Sequence, residues 1–112
     1  MKLTEIMTQL AYKAIVFPND QGTCVNAYTS DLLSDVMGNA PEDSVLITIQ
    51  GHKNTIAVAS LVGIQAVILC NKRSAPDDMQ EAAVHEGIAI FSTSDDQFTA
   101  SCKIGELLHK DL

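Results

Sequence analysis

Residues 45–70, VLITIQGHKNTIAVASLVGIQAVILC, decide the fold of this chain. They contain two short apolar runs, 45–49 and 66–70, on either side of a segment with the composition of a helix that ends at Gly63. Apolar runs that alternate with helices are typical of parallel strands, because each crossover connection lays its helix on a face of the sheet. The stretch therefore predicts strand, helix and parallel strand, with the helix buried because its apolar residues lie nearly all round.

The same alternation continues towards the carboxyl end. A third apolar run covers residues 88–91, Ser74 begins the helix before it and Gly87 ends that helix. Asp95 or Asp96 supplies the N-cap of a last helix, since a carboxylate can accept the unpaired amides there. For residues 1–112 we predict one compact α/β domain, in which a mostly parallel central sheet is flanked by helices.

Shorter elements are predicted upstream. A helix begins at Leu3, and two short strands cover residues 14–17 and 23–28. Ser30 caps a second helix that runs through Met37 and stops at a left-handed Gly38. The predicted inner face of this helix consists of Leu32, Leu33, Val36 and Met37.

Charge and cysteine content exclude several classes of function. The chain has 14 acidic and 7 basic residues, a formal charge of −7, which disfavours nucleic acid and anionic membrane surfaces as partners. The longest apolar stretch, 56–69, is interrupted by polar residues and is shorter than the roughly 20 residues that span a bilayer. Three distant cysteines and no export signal favour reduced thiols in the cytoplasm, with Cys70 and Cys102 as core residues.

Polar residues follow each apolar run, at the point where ligands bind in open parallel sheets. The loops after residues 49, 70 and 91 should therefore meet at one edge, where Lys53, Lys72 and Arg73 provide positive charge for an anion such as phosphate. Ordinary turn and helix-cap chemistry is the alternative explanation of these loops. The candidate ligand-binding residues are Gln50, His52, Asn54, Ser92, Thr93 and Asp31.

Known catalytic and metal-binding patterns are missing from the sequence. The segment 51–55, GHKNT, lacks the spacing and the adjacent Gly-Lys-Ser/Thr of a P-loop. Three separate histidines make no metal triad, and Asp31 with Asp35 at i, i+4 is better explained by the positive start of the helix that Ser30 opens. We therefore predict no catalytic residues, no metal and no cofactor.

The segment 28–40, YTSDLLSDVMGNA, resembles the DRTGG domain family, and the likeness continues through residues 46–50, 56–63 and 87–100. The literal name motif does not occur. The resemblance implies an α/β domain of the kind that accompanies phosphotransacetylase catalytic domains and CBS-domain nucleotide sensors. The sequence also resembles the amino-terminal domain of HPr serine kinase. The P-loop of that enzyme lies in a different domain.

Three functions are compatible with these observations. The leading hypothesis is a non-catalytic cytoplasmic regulatory module that binds a small phosphorylated or nucleotide ligand, or a partner enzyme. The first alternative is a structural module for dimerisation or docking, and the second is an enzyme that uses His52 with Asp31 or Asp96. A homodimer is expected in either non-catalytic case, because the apolar stripes of the first and last helices exceed what a short sheet covers.

Overall fold

The computed structural model describes residues 1–18 and 20–109, in which five strands form one sheet and five helices surround it. The strands are β1 (Lys13–Val16), β2 (Asn26–Thr29), β3 (Ser44–Thr48), β4 (Ile64–Leu69) and β5 (Ala89–Ser92). The helices are α1 (Thr4–Leu10), α2 (Leu33–Asn39), α3 (Lys53–Val62), α4 (Asp77–Glu86) and α5 (Gln97–His109).

The strand order is β1-β5-β4-β3-β2. β2, β3, β4 and β5 are parallel, and β1 pairs antiparallel with β5. The radius of gyration is 12.2 Å, close to the value of about 13 Å expected for a compact domain of this length. These observations confirm the predicted α/β class and the mostly parallel central sheet.

Two hydrophobic clusters cover the two faces of the sheet. Alternate residues of a strand point to opposite faces, so Val45 and Ile47 pack with α1 and α5 whereas Leu46 packs with α2, α3 and α4. All five residues of β3 are buried. The central strand therefore contributes to both clusters, which explains its continuous apolar sequence.

The apolar stripes of α1 and α5 are covered within one chain. Leu3 and Ile6 are buried in the same cluster as Ala100 and Ile104, and Leu107 is buried as well. These buried residues offer no surface to a second copy, so the stripes that they form do not support the predicted homodimer. The homodimer itself stays a prediction.

The second helix differs from its predicted form. It begins at Leu33, and the Ser30 hydroxyl accepts a bond only from the Leu32 amide, at 3.2 Å, so Ser30 is not its cap. Gly38 lies inside the helix, which ends at Asn39 with an extended Ala40. The following Pro41 explains this end, because proline disfavours helical conformation in the residue before it.

Several predicted buried positions are exposed. In α2 only Val36 is fully buried, whereas Leu32 is 64% and Met37 48% exposed. Leu61 of α3 is 71% exposed, so that helix is amphipathic and not buried all round.

The three cysteines differ in environment. Cys24 and Cys70 are buried, and burial raises the pKa of each thiol to about 11. Cys102 is exposed, which corrects its prediction as a core residue. Among residues 1–18 and 20–109, no helix combines the length and hydropathy needed to cross a membrane.

Candidate functional site

The loops that follow β3, β4 and β5 lie at one edge of the sheet, because these three strands are parallel neighbours. The antiparallel β1 begins at the same edge, where Lys13 pairs with Ser92. The predicted meeting of the 50–54 and 92–94 loops at one edge is therefore found. The six predicted site residues form two groups along this edge. Asp31, Gln50, His52 and Asn54 belong to the first group, and Ser92 and Thr93 belong to the second.

The first group joins the ends of β2 and β3 through Asp31. Its Oδ1 accepts bonds from the Thr48 hydroxyl at 2.9 Å, the Ile49 amide at 2.9 Å and the Gln97 side chain at 3.0 Å. The Gln50 side chain donates to the Asp31 carbonyl at 3.0 Å. Asp31 precedes α2 and links two strands to α5, which corrects its interpretation as a residue of the helix start.

His52 and Asn54 form the N-terminal cap of α3. His52 Nδ1 accepts a bond from the Asn54 amide at 3.0 Å, and both residues are exposed. The buried Thr55 hydroxyl donates to the Gln50 carbonyl at 2.7 Å. The bond to His52 satisfies an amide that the first turn of a helix leaves unpaired, and the bond from Thr55 joins that turn to the end of the loop before it, so the local geometry accounts for His52 and Asn54 as a cap.

The second group lies in a cavity of about 600 Å³ between the start of β1 and the loops after β4 and β5. Four of the seven basic residues of the chain line it, together with one acidic residue. We call it the basic cavity. Its charged and hydroxyl-bearing lining residues are Lys13, Lys72, Arg73, Lys103, Asp95, Tyr12, Ser74, Ser92, Thr93 and Ser94.

Asp95 neutralises one of the four cations. Its Oδ2 accepts a bond from the Tyr12 hydroxyl at 2.7 Å and lies 2.7 Å from Lys103 Nζ. These two partners, Lys103 first, hold the pKa of Asp95 below its usual value. Burial and the bond to Asp95 raise the pKa of Tyr12. The phenol stays protonated and the carboxylate ionised near neutral pH, so neither group suits proton transfer there.

The remaining three cations face the cavity without a counter-ion. In the part of the chain that the structure describes, Lys13, Lys72 and Arg73 have no ion-pair or side-chain hydrogen-bond partner. Since like charges gathered in one cavity repel each other, an anion that bridges them is stabilised. No histidine or cysteine is among the described residues that line the cavity. The arrangement thus supports anion binding more readily than nucleophilic or acid–base catalysis.

Backbone hydrogen bonds join the loop after β4, which carries Lys72 and Arg73, to the loop after β5. The Asn71 and Lys72 amides donate to the carbonyls of Asp95 and Thr93, each at 3.0 Å. Asn71 and Lys72 both have left-handed backbone, with φ of 57° and 58°, and so does Ala11 across the cavity at 58°. Left-handed backbone costs non-glycine residues energy and is enriched at functional sites, so the loop bonds hold Lys72 in a conformation it would not adopt alone.

No group of three or more potential metal-ligating side chains occurs within residues 1–18 and 20–109.

Neither a family model nor a curated protein matches the sequence. A solved structure that does match contains the CBS and DRTGG domains of the regulatory region of Clostridium perfringens pyrophosphatase, complexed with its activator, diadenosine tetraphosphate. The TM-score is 0.71 at 17% sequence identity, over 89% of this chain. This chain has a DRTGG-like fold. The resemblance predicted from residues 28–40 is thereby confirmed for the fold, and the chain spans 44% of that regulatory region.

Sequence reasoning identified part of the basic cavity and missed the rest. The loops predicted to converge contained Ser92, Thr93 and Asp95 as well as Lys72 and Arg73, but Tyr12, Lys13 and Lys103 were not connected with them. The missing signal was the antiparallel pairing of β1 with β5, which brings the start of β1 to the carboxyl end of β5.

Proposed function

We propose that this DRTGG-like chain is a non-catalytic regulatory module that binds a small phosphorylated ligand in the basic cavity. One observation carries the proposal: a chain with a formal charge of −7 gathers four of its seven basic residues around a single cavity. Basic residues dispersed over an acidic surface would neutralise their neighbours. Concentrated at one cavity, they create a local positive field that attracts anions.

Phosphate fits the groups available. Arg73 can form paired bonds to phosphate oxygens, and Lys13 and Lys72 add positive charge. Ser92 and Thr93, which the sequence already suggested, would contribute hydroxyls at the cavity wall. Ligand contact by Asp31, Gln50, His52 and Asn54 stays a separate prediction, because their described bonds serve the β2–β3 ends and the α3 cap.

A regulatory role is supported by the kind of protein that shares this fold. The matching structure is a regulatory region in complex with an activator that carries phosphates. A chain of this kind would sense a phosphorylated metabolite in the cytoplasm and pass the signal to a partner enzyme.

Isothermal titration calorimetry with inorganic pyrophosphate tests the proposal. We expect binding by the natural chain, and a loss of about 100-fold or more in affinity when Lys72 and Arg73 are both replaced by Ala, because each bond to a charged group contributes about 1.5–3 kcal/mol. The control is Lys53→Ala, which removes a positive charge from α3 outside the cavity and should leave affinity unchanged. Absence of binding by the natural chain, or equal affinity in the double variant, contradicts the proposal.

A second candidate function, docking to a partner enzyme or a second copy, is favoured by one surface feature. Leu32 and Phe98 are 64% and 78% exposed, and a 3.0 Å bond joins their chain neighbours, Asp31 and Gln97. Two exposed apolar side chains at one end of the sheet are a possible contact point. Sedimentation at micromolar concentration tests it for the homodimer: Phe98→Ser should dissociate a dimer, and a natural chain that is monomeric throughout contradicts self-association.

A further inference from the structure

A second cavity, of about 430 Å³, continues from the basic cavity along β1 and α4. The two cavities share Ile15 and Gln80 as lining residues. We call the second one the apolar cavity, since its lining includes Ile15, Val16, Phe17, Pro18 and Val84. We infer that the apolar cavity binds the planar ring of a ligand whose phosphates occupy the basic cavity, an inference that rests on the proposed function. The ligand class is then a nucleotide.

The positions of the two cavities along β1 fit a ligand with two parts. Lys13, the first residue of the strand, lines the basic cavity, and Val16, the last, lines the apolar cavity. At a rise of about 3.3 Å per residue, the strand separates these residues by about 10 Å. The pentose and the diphosphate of a nucleotide together span such a distance between the terminal phosphate and the ring, and the pentose would lie over the shared Ile15 and Gln80.

The apolar cavity presents a suitable surface for a ring. Ile15 and Val16 pack with the cluster that contains α4, whereas Phe17 packs edge-on against Phe91 on the other face of the sheet, with ring centroids 5.7 Å apart. Val84 projects from α4 and is 61% exposed. Gln80 and Glu81 lie on the same rim and offer oxygen acceptors to ring amino groups. Apolar contact with a few polar groups is the usual composition of a site for small organic molecules.

The alternative use of this groove, addition of a strand from another chain to the free edge of β1, is disfavoured by the edge itself. Lys13 places a charge on it, and Pro18 follows the strand without an amide to donate. The register of β1 against β5 is also irregular between Ala14 and Val16. Charge, proline and irregular register are the features by which edge strands avoid pairing. A ligand ring is therefore the occupant that the groove fits.

Calorimetry with two probes that share their phosphates tests this inference. Inorganic pyrophosphate fills only the basic cavity, whereas ADP adds a pentose and a ring to the same two phosphates. We expect ADP to bind about 10-fold tighter than pyrophosphate, because removing roughly 60 Å² of apolar surface from water corresponds to about a 10-fold gain in affinity. Val84→Ser should weaken ADP about fivefold, since it removes apolar contact, and should leave pyrophosphate unchanged.

The control variant is Leu61→Ser, which removes an equally exposed apolar side chain from α3, 71% exposed and outside both cavities. It should change neither affinity. Equal affinity for ADP and pyrophosphate, or an ADP affinity that Val84→Ser does not lower, overturns the ring site and leaves the basic cavity intact. A Val84→Ser variant that binds pyrophosphate more weakly also overturns it. Failure of both probes to bind the natural chain overturns the proposed function as well.

Discussion

Replacement of Gly51 by alanine should destabilise the fold, although glycine to alanine is a small change. Gly51 lies where the loop after β3 passes the loop after β4, and a Cβ on it would stand 2.5 Å from the Ser74 carbonyl oxygen. Carbon and oxygen at that distance overlap, and the oxygen belongs to the backbone, so one loop must move. The φ angle of Gly51 is not in the left-handed region. The cost therefore arises from packing alone.

The expected cost is about 1–3 kcal/mol, the usual range for one added carbon in a close-packed site that must shift its backbone. In a domain of this length each kcal/mol lowers the melting temperature by about 4 °C. Urea unfolding followed by circular dichroism at pH 7 measures the free energy directly. Because Ser74 also lines the basic cavity, Gly51→Ala should bind pyrophosphate more weakly than the natural chain.

Gly38→Ala is the matched control. Gly38 lies inside α2, and a Cβ on it would meet no atom within 4 Å. The same substitution should stabilise the protein there by about 0.5–1 kcal/mol, because alanine loses less backbone entropy than glycine in a helix. Opposite signs at the two positions are expected. A Gly51→Ala variant as stable as the natural chain refutes the close approach of the two loops.

Three other substitutions have defined outcomes in urea unfolding. Asp31→Ala should cost about 2–4 kcal/mol, because it leaves the buried Thr48 hydroxyl and the Ile49 amide without their acceptor; Asp31→Asn, which keeps an oxygen there, should cost less, and equal losses would contradict this. Asp96→Ala should cost about 1 kcal/mol by removing the cap that accepts the Thr99 amide at 2.8 Å, and Asp96→Ser should restore most of it. Lys103→Met removes the main cause of the lowered pKa of Asp95. A carboxylate whose pKa is lower in the folded than in the unfolded chain stabilises the fold above its unfolded pKa, and this stabilisation is lost as the pH falls through its folded pKa. The variant should therefore unfold with less free energy than the natural chain at pH 7, and this difference should shrink below about pH 4. A difference that is the same at pH 3 and pH 7 would contradict that ion pair.

The fold was predictable because its signals are local. The apolar runs of β3 and β4 are each long enough to identify a buried strand, and Gly63 and Gly87 end α3 and α4 with φ of 81° and 71° as predicted. The buried face of α2 was not predictable from periodicity, because Pro41 sets where that helix ends and Leu32 stays outside it.

The site was only partly predictable because it depends on contacts between distant residues. Ser92 and Thr93 could be found from the rule that ligands lie at strand ends. Lys13 could not, since it begins a short strand 79 residues earlier whose pairing partner the sequence does not specify. Lys103 comes from α5 and lies at the cavity against Asp95 and the Tyr12 ring, contacts that depend on how α5 packs.

Heteronuclear NMR of the ¹⁵N-labelled chain during titration with inorganic pyrophosphate shows whether the basic cavity binds phosphate. The largest amide shifts should occur at Lys13, Lys72, Arg73 and Ser94, and they should saturate with increasing pyrophosphate. Shifts that centre on residues 50–54, or none at millimolar pyrophosphate, would contradict phosphate binding in this cavity.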